Sequence, residues 1–250
     1  MPYLKVPVAF WGDKELREYL VRLASSLGIN NDPDSFAYCA DNLITFIHHA
    51  GFRKDETFAA AMLKYAVDPI EVQSAWRKHI VCWAIRSCLD RDGDFVEAGT
   101  ADGYTALVAL ECVPAARDRT FWLYDTFDTD TGRVDPEDRP ALPFEKIVDR
   151  FKGFTNVKFL GGTLPDILDE SVHPEQIAFL HLDVGDAKIE ADIMRRLLPR
   201  LSGGAIIIAN SYGLLGIPYG EIKPALDLVA SKHGLSFAEL PTGQGLLVNR

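Results

Sequence analysis

The chain has 250 residues, of which 48% are apolar and 25% are charged, and a chain of this size can bury a substantial core. Its 36 acidic residues outnumber its 26 basic ones, for a formal net charge of −10. This charge would repel a phosphate backbone, so we expect no nucleic-acid partner. No segment approaches the roughly 18 apolar residues of a membrane span, and no apolar leader opens the chain, which together predict a cytoplasmic protein without membrane association.

The first third of the chain has a helical pattern. Apolar residues recur every three or four positions, at Leu16, Leu20 and Leu23 and again at Phe36, Ala40, Leu43 and Ile47. We therefore predict a helical cap over residues 1–90, in which the helix around residues 36–47 has Asp34 or Ser35 as its N-cap and ends at Gly51. Exposed apolar helix faces require a partner, so these helices could form a lid or a homo-oligomer interface.

Beyond residue 91 the pattern changes to short apolar runs separated by helical stretches, which is typical of a parallel sheet with crossover helices. We predict a Rossmann-like α/β domain over residues 91–250, with a seven-stranded, mostly parallel sheet that ends in an antiparallel hairpin. The predicted strands are 94–98, 120–124, 156–160, 177–182, 204–209, 236–240 and 246–249. The predicted helices lie near 103–113, 144–150, 164–168, 188–198 and 223–233.

The loop after the first predicted strand carries the first candidate site, because ligands bind at the carboxyl ends of strands in such sheets. It reads Glu97-Ala-Gly99-Thr100-Ala-Asp102-Gly103. Gly99 allows a tight turn, and Gly103 allows the next helix to pack closely against the sheet. The loop fails the G-x-G-x-x-G spacing of dinucleotide sites, since Glu97 and Asp102 occupy two of the glycine positions. Those carboxylates oppose a pyrophosphate but suit the sulfonium and ammonium groups of S-adenosylmethionine (SAM), so we predict a SAM loop that includes Thr100.

The next two predicted strands end in residues suited to the same ligand. The apolar run Phe-Trp-Leu-Tyr ends in Asp125, where folds of this kind place a carboxylate that accepts hydrogen bonds from both ribose hydroxyls. Thr126 follows it. After the third strand, Gly162 and Thr163 could let an adenine ring lie against the backbone. We therefore predict that these four residues contact SAM.

Polar residues also end the fourth and fifth predicted strands. His181 and Asp183 lie two positions apart and share one side of their strand, Asp186 is just beyond, and Asn210 and Tyr212 follow the fifth strand. Methyl transfer to oxygen needs an aligned hydroxyl and a base for its proton. We predict one of the first three as the base, Asp183 as a further SAM contact, and the last two as substrate contacts. A strand-end histidine is also commonly structural.

Taken together, the motifs resemble the macrocin O-methyltransferase family, SAM-dependent enzymes that methylate sugar hydroxyls on antibiotics and related natural products. The resemblance runs from about Trp76 to the C-terminus, and it implies that Glu97, Gly99 and Gly103 shape the SAM loop while Asp125 holds the ribose. The segments that carry it are Gly-Asp-Phe-Val-Glu-Ala-Gly-Thr at 93–100, Trp-Leu-Tyr-Asp-Thr-Phe-Asp at 122–128, His-Leu-Asp at 181–183, Leu-Leu-Pro-Arg-Leu-Ser-Gly-Gly at 197–204, Tyr-Gly at 212–213 and Leu-Pro-Thr-Gly-Gln-Gly-Leu at 240–246.

The chain departs from that family at the metal ligands. Family members of known mechanism bind a magnesium ion through the aspartate of the His-x-Asp motif and a pair of aspartates after the fifth strand, and the resemblance implies the same positions here. Asp183 is present here, but the pair is Asn210-Ser211, and the family's second acid falls on Gly185, beside Asp186. Magnesium prefers hard, anionic oxygen ligands, so we predict no metal ligands and a site that depends weakly or not at all on magnesium.

These observations favour a SAM-dependent O-methyltransferase that acts on a small hydroxylated molecule such as a sugar or other natural product. Two alternatives stay open from the sequence, namely an NAD(P)-dependent oxidoreductase and a catalytically silent SAM-binding module. The proline-bearing stretch 128–143 directly follows the second strand, and it reads either as a substrate lid or as a solvated loop. Loops at this edge of a sheet often carry specificity.

Overall fold

A computed structural model of the chain describes residues 4–10, 14–32, 36–127, 142–170, 172–216 and 218–250. The described residues fall into two compact units, one within Met1–Ile80 and the other within Val81–Arg133 and Pro140–Arg250. The dividing point lies inside a helix, whereas the sequence places the end of the cap at residue 90. The stretch 128–143 lies outside the described residues except for Leu142 and Pro143.

The first unit combines helices with a small hairpin. Its elements are α1 (Lys14–Ser26), β1 (Ala37–Ala40), β2 (Leu43–Phe46), α2 (Glu56–Tyr65) and the start of α3 (Ala75–Ser87). Asp55 caps α2, since its side chain accepts a hydrogen bond from the Phe58 amide at 3.0 Å. The predicted helical pattern therefore holds for three segments of this region.

The helix predicted around residues 36–47 is wrong, because β1 and β2 pair there as an antiparallel hairpin. The two residues between the strands, Asp41 and Asn42, have φ of +54° and +60°, as a two-residue turn matched to the strand twist requires, and short Asx side chains tolerate this conformation. Buried Asn31 holds the hairpin further, since its side chain accepts from the Cys39 amide at 2.7 Å and donates to the Cys39 carbonyl at 2.6 Å. Local turn chemistry and this polar clamp outweigh the helical spacing.

The second unit is a doubly wound α/β domain. Its strands are β3 (Asp94–Ala98), β4 (Phe121–Asp125), β5 (Val157–Gly161), β6 (Ile177–Leu182), β7 (Leu201–Ala209), β8 (Ala238–Glu239) and β9 (Gly245–Val248). Its helices after α3 are α4 (Tyr104–Cys112), α5 (Phe144–Arg150), α6 (Ile167–Glu170), α7 (Ala187–Leu197) and α8 (Ile222–Ser231). The seven-strand prediction is confirmed, and α6 begins at Ile167, whereas the sequence predicts a start near residue 164.

The strand order in the large sheet is β5-β4-β3-β6-β7-β9-β8. The first five strands in this order are parallel, while β9 pairs antiparallel with β7 and with β8. The order reverses between β3 and β6, since β4 and β5 lie on one side of β3 and β6 and β7 on the other. Ligands bind at the carboxyl edge beside such a switch point, so the ends of β3, β4 and β6 are where the candidate site is expected.

Burial explains why the central strands form. Every residue of β4 and β6 is buried, as expected for parallel strands covered on both faces by helices.

Cys39 and Cys88 are also buried, and burial raises the pKa of each thiol to about 11, which makes them unreactive side chains of the interior. Within the described ranges, no helix is both long and apolar enough to cross a membrane.

Candidate active site

The cofactor loop, which we define as residues 97–103, leaves β3 at the carboxyl edge and depends on two glycines. Gly99 has φ of +87°, and a Cβ built on it would lie 2.2 Å from the Asp183 carbonyl oxygen. Gly103 has φ of +83° and precedes α4, and a Cβ there would lie 2.4 Å from the Phe151 ring. Only glycine combines this backbone conformation with such close contacts. The loop therefore packs, backbone against backbone, on the segment that follows β6.

Asp125 ends β4 and is buried beside the cofactor loop. Its Oδ2 accepts a hydrogen bond from the Ala101 amide at 2.7 Å, and its Oδ1 accepts from the Thr126 amide at 2.7 Å and the Thr126 hydroxyl at 3.2 Å. The Gly162 amide donates to the Asp125 carbonyl at 3.0 Å, and Thr163 then leads into α6. The predicted SAM contacts after β4 and β5 thus meet the cofactor loop at one place.

Glu97 and His181 form a buried pair between adjacent strands. They are register partners on β3 and β6, and His181 Nδ1 lies 2.8 Å from Glu97 Oε1. His181 is 1% exposed, so it positions Glu97 more readily than it meets an acceptor hydroxyl. Nearby in the cofactor loop, the Thr100 hydroxyl is buried and bonds to no atom in the described part of the chain.

A chain of hydrogen bonds, here called the amide relay, joins four residues at the carboxyl ends of β6 and β7 and at the β8–β9 turn. Asn210 Nδ2 donates to Asp183 Oδ1 at 3.0 Å, and Gln244 Nε2 donates to Asn210 Oδ1 at 3.2 Å. The Thr242 hydroxyl donates to Gln244 Oε1 at 3.0 Å. The predicted residues Asp183 and Asn210 are therefore in direct contact. The other two were missed, and the polar Thr-Gly-Gln run between β8 and β9 is the signal that could have found them.

Two predicted site residues bond elsewhere. Asp186 is exposed and caps α7, since its Oδ1 accepts from the Ile189 amide at 2.9 Å. The Tyr212 hydroxyl donates to Asp227 Oδ1 at 2.6 Å and accepts from Lys223 Nζ at 2.8 Å. Both partners of Tyr212 lie on α8, so this hydroxyl is already engaged there, and its contact with a substrate stays a prediction.

Glu190 is a further residue that sequence analysis missed. It lies in the first turn of α7, is 0% exposed, and its Oε1 accepts from the Val184 and Gly185 amides at 3.1 and 2.9 Å. Burial raises the pKa of Glu190 to about 7, and the negative charge of Asp183 adds to the rise. The carboxyl group holds the turn after β6 in place. Glu190 lies four residues after the capping Asp186, one position beyond the capping-box spacing, so that motif does not reveal it.

The raised pKa predicts that Glu190 makes folding depend on pH. The folded state keeps the proton up to about pH 7, against 4.5 for the ordinary carboxyl, so the stabilisation is full below pH 4.5, falls between those values and is absent above about 7. Between these two limits the free energy of unfolding changes by about 3 kcal/mol. We expect Glu190→Gln to raise the midpoint of thermal unfolding at pH 8 but not at pH 4.5, as measured by circular dichroism.

The exposed Glu175 provides the control for that experiment. Glu175→Gln should leave the midpoint close to wild type at both pH values. If the unfolding midpoint of Glu190→Gln equals that of the wild type at every pH, the buried carboxyl ionises without a cost in folding free energy, and the prediction is wrong.

The donor set at these strand ends does not fit a magnesium site. Asn210 and Ser211 supply an amide and a hydroxyl where anionic oxygens are preferred, and the Asn210 amide already donates to Asp183. Within the described ranges, no group of three or more His, Cys, Asp and Glu side chains could hold a metal ion. An amide proton of Asn210 therefore faces the Asp183 carboxylate.

Comparison with known proteins finds similarity in sequence and in fold. No protein-family model matches the chain. A curated relative, the 8-demethyl-8-(2,3-dimethoxy-alpha-L-rhamnosyl)-tetracenomycin-C 4'-O-methyltransferase of Streptomyces olivaceus, is 28% identical over 141 residues. The match covers 49% of this chain and 54% of the relative, so the chain spans about half the length of the curated relative that it matches.

Two solved structures resemble the fold. The O-methyltransferase NovP superposes with a TM-score of 0.57 at 20% identity, over 71% of this chain and 81% of that one. CalS11, a TDP-rhamnose 3'-O-methyltransferase of calicheamicin biosynthesis, superposes with a TM-score of 0.50 at 17% identity, over 81% of this chain and 96% of that one. With the strand order described above, these likenesses confirm the predicted architecture. The chain therefore has the class I SAM-methyltransferase fold, and its sequence resembles that of a sugar O-methyltransferase from a natural-product pathway.

Proposed function

We propose that the protein is a SAM-dependent O-methyltransferase that acts on a sugar hydroxyl of a small natural product. The observation that carries this proposal is the meeting of three strand ends at the cofactor loop, where Asp125 accepts a hydrogen bond from the loop amide of Ala101. A cofactor held between these strand ends would be presented to the residues that follow β6 and β7. When bound, SAM supplies the methyl group for an acceptor oxygen.

The residues of the cofactor side fit SAM by their chemistry. The Asp125 carboxylate has acceptor capacity for ribose hydroxyls, and Glu97 brings a second acid to the loop, whereas the Asp102 carboxylate is paired with Arg150 at 2.6 Å. The buried Thr100 hydroxyl would lose hydrogen bonding on folding without a partner, which costs about 1–3 kcal/mol. A polar atom of the cofactor would supply that partner.

The acceptor side favours Asp183 as the general base. Of the three candidates, His181 is paired with Glu97 in the interior and Asp186 caps α7. Asp183 is partly exposed at the end of β6, and its backbone lies against Gly99 of the cofactor loop. Its carboxylate would hold the acceptor hydroxyl and take its proton as the methyl group transfers.

A rhamnose hydroxyl is the acceptor class to test first. The curated relative acts on a rhamnosylated tetracenomycin, and CalS11 acts on TDP-rhamnose. The experiment is calorimetric titration with SAM, S-adenosylhomocysteine (SAH) and NADH, followed by methyl-transfer assays on TDP-rhamnose and on rhamnosylated aromatic polyketides. Binding of NADH but not SAH would favour an oxidoreductase, and SAH binding without turnover on any acceptor would favour a silent SAM-binding module.

We propose further that turnover does not need magnesium, because Asn210 and Ser211 replace two expected carboxylates. We expect EDTA to leave the rate of methyl transfer unchanged and Mn²⁺ titration of the wild type to show no saturable site. The matched variant Asn210→Asp/Ser211→Asp restores both carboxylates and should gain saturable Mn²⁺ binding, as measured by electron paramagnetic resonance. A wild-type protein that loses turnover with EDTA and regains it with Mg²⁺ would contradict this prediction.

The remaining expectations from the sequence stay predictions. They are a cytoplasmic location, the absence of a nucleic-acid partner, and a homo-oligomer formed through the N-terminal helices. Sedimentation of the purified protein tests the last of these directly.

A further inference from the structure

The amide relay has a direction that its chemistry dictates. An ionised carboxylate only accepts hydrogen bonds, so Asp183 requires the NH₂ group of Asn210. The Asn210 oxygen must then face Gln244, which in turn must offer its own NH₂ group. The Gln244 oxygen is left facing the Thr242 hydroxyl, which can donate. A single arrangement of donors and acceptors therefore satisfies these three hydrogen bonds of the amide relay.

The turn that carries Gln244 is fixed in place independently of the relay. The Leu240 amide donates to the Gln244 carbonyl at 2.8 Å, and the Gly213 amide donates to the Gly243 carbonyl at 2.7 Å. A Cβ on Gly245 would lie 2.6 Å from Cγ of Tyr212, so this residue also has no room for a side chain. The backbone of the turn is thus held against the segment after β7.

The Gln244 side chain is 0% exposed. Burying an amide is costly unless its groups are hydrogen-bonded, so an apolar residue would serve packing alone at least as well. The relay explains why an amide stands there. It reaches Asn210 because Gly245 and Ala209 are register partners on β9 and β7, which places the residues just beyond them side by side.

We propose that Gln244 is a positioning residue for methyl transfer, acting through Asn210 to hold the Asp183 carboxylate in one orientation. This inference rests on the proposed function. Asn210 and Ser211 carry no charge, so a cation is not needed to balance carboxylates at this point, and a directed amide proton takes over the task of orienting Asp183. Gln244 fixes which end of the Asn210 amide faces that carboxylate.

The first test needs no acceptor substrate. In ¹⁵N-correlated spectra, the Asn210 side-chain NH₂ signal is assigned by its absence from Asn210→Asp. We expect the two wild-type NH₂ protons to have well-separated chemical shifts, because one of them points at a carboxylate. In Gln244→Ala we expect the difference between the two shifts to become smaller. An Asn210 signal that is unchanged in Gln244→Ala would overturn the proposal, whether or not the protein proves to be a methyltransferase.

A second variant keeps the size of the side chain. Gln244→Glu puts a carboxylate where a donor is required, so the Asn210 amide lies between two carboxylates and position 244 no longer fixes which end of the amide faces Asp183. We expect the Asn210 signal to change more in this variant than in Gln244→Ala. The control is Gln176→Glu, which makes the same change on an exposed side chain just before β6 and should leave the signal as in wild type.

The second test is a double-mutant cycle on methyl transfer, using the acceptor identified from the rhamnose panel. We expect Gln244→Ala to lower kcat about tenfold, the loss typical of one hydrogen bond to a polar partner, with KM and SAH affinity near wild type. In an Asn210→Ala background, the same change should lower kcat no further. Losses that multiply would show that Gln244 acts on its own and would overturn the proposal, whereas a lack of SAH binding would count against the proposed function alone.

Discussion

Asp125→Ala is expected to weaken SAM binding about 100-fold. The substitution would remove the charge-assisted hydrogen bonds that we propose from the ribose hydroxyls to this carboxylate. Such bonds are worth about 1.5–3 kcal/mol each, and every 1.4 kcal/mol is about tenfold in affinity. The substitution would also release the Ala101 amide, which Asp125 holds at 2.7 Å and whose residue has φ of +49°. The measurement is calorimetric titration of the purified variant with SAH.

Two variants separate the charge from the shape of that site. Asp125→Asn keeps an oxygen for the Ala101 amide but loses the negative charge, and it should weaken binding about tenfold if one charged hydrogen bond is lost. Asp118→Ala removes an exposed acid of the same unit and should bind SAH as the wild type does. A folded Asp125→Ala protein with unchanged affinity would remove the ribose role from this residue.

Gly99→Ala is expected to destabilise the second unit by at least about 3 kcal/mol and to abolish SAM binding. The new Cβ would lie 2.2 Å from the Asp183 carbonyl oxygen and 2.4 Å from its carbon, so the backbone after β6 would have to move. A side chain at φ of +87° adds about 1–2 kcal/mol of strain. Thermal unfolding should shift down by roughly 10 °C for a chain of this size.

Gly153→Ala is the matched control, because a Cβ at Gly153 meets no atom within 4 Å. Its melting temperature should stay within a few degrees of the wild type. A stable Gly99→Ala protein that still binds SAH would show that the contact between the cofactor loop and Asp183 is looser than the structure has it.

The sheet could be predicted well because its signals are local. The strands β3 and β6 were predicted with the bounds that the structure gives them, since a buried parallel strand is a short apolar run that ends in polar residues. The hairpin at β1 and β2 could not be predicted from periodicity, because the apolar spacing around Phe36 and Ile47 also fits a helix. The Asp41-Asn42 pair was the better guide, since both residues favour a tight turn.

The candidate site was predictable where a strand end alone fixes a residue's position. Asp125 and Asp183 are such residues, and both lie at the carboxyl edge as expected. Gln244 reaches Asn210 only through the antiparallel pairing of β9 with β7, and local sequence does not reveal a strand pairing that joins residues 34 positions apart. Glu190 was missed for a different reason, since its carboxyl accepts from amides only five and six residues earlier, a spacing that matches no helix-capping motif.

The contrast between the two sides of the site has a consequence for evolution. The cofactor loop is shaped by backbone contacts at Gly99 that leave no room for a side chain, so few substitutions there can be tolerated. The acceptor side is joined by side-chain amides and a hydroxyl, which can be exchanged without moving a strand. A protein with this fold can therefore exchange the polar side chains that follow β6 and β7 while the backbone of the cofactor loop stays the same.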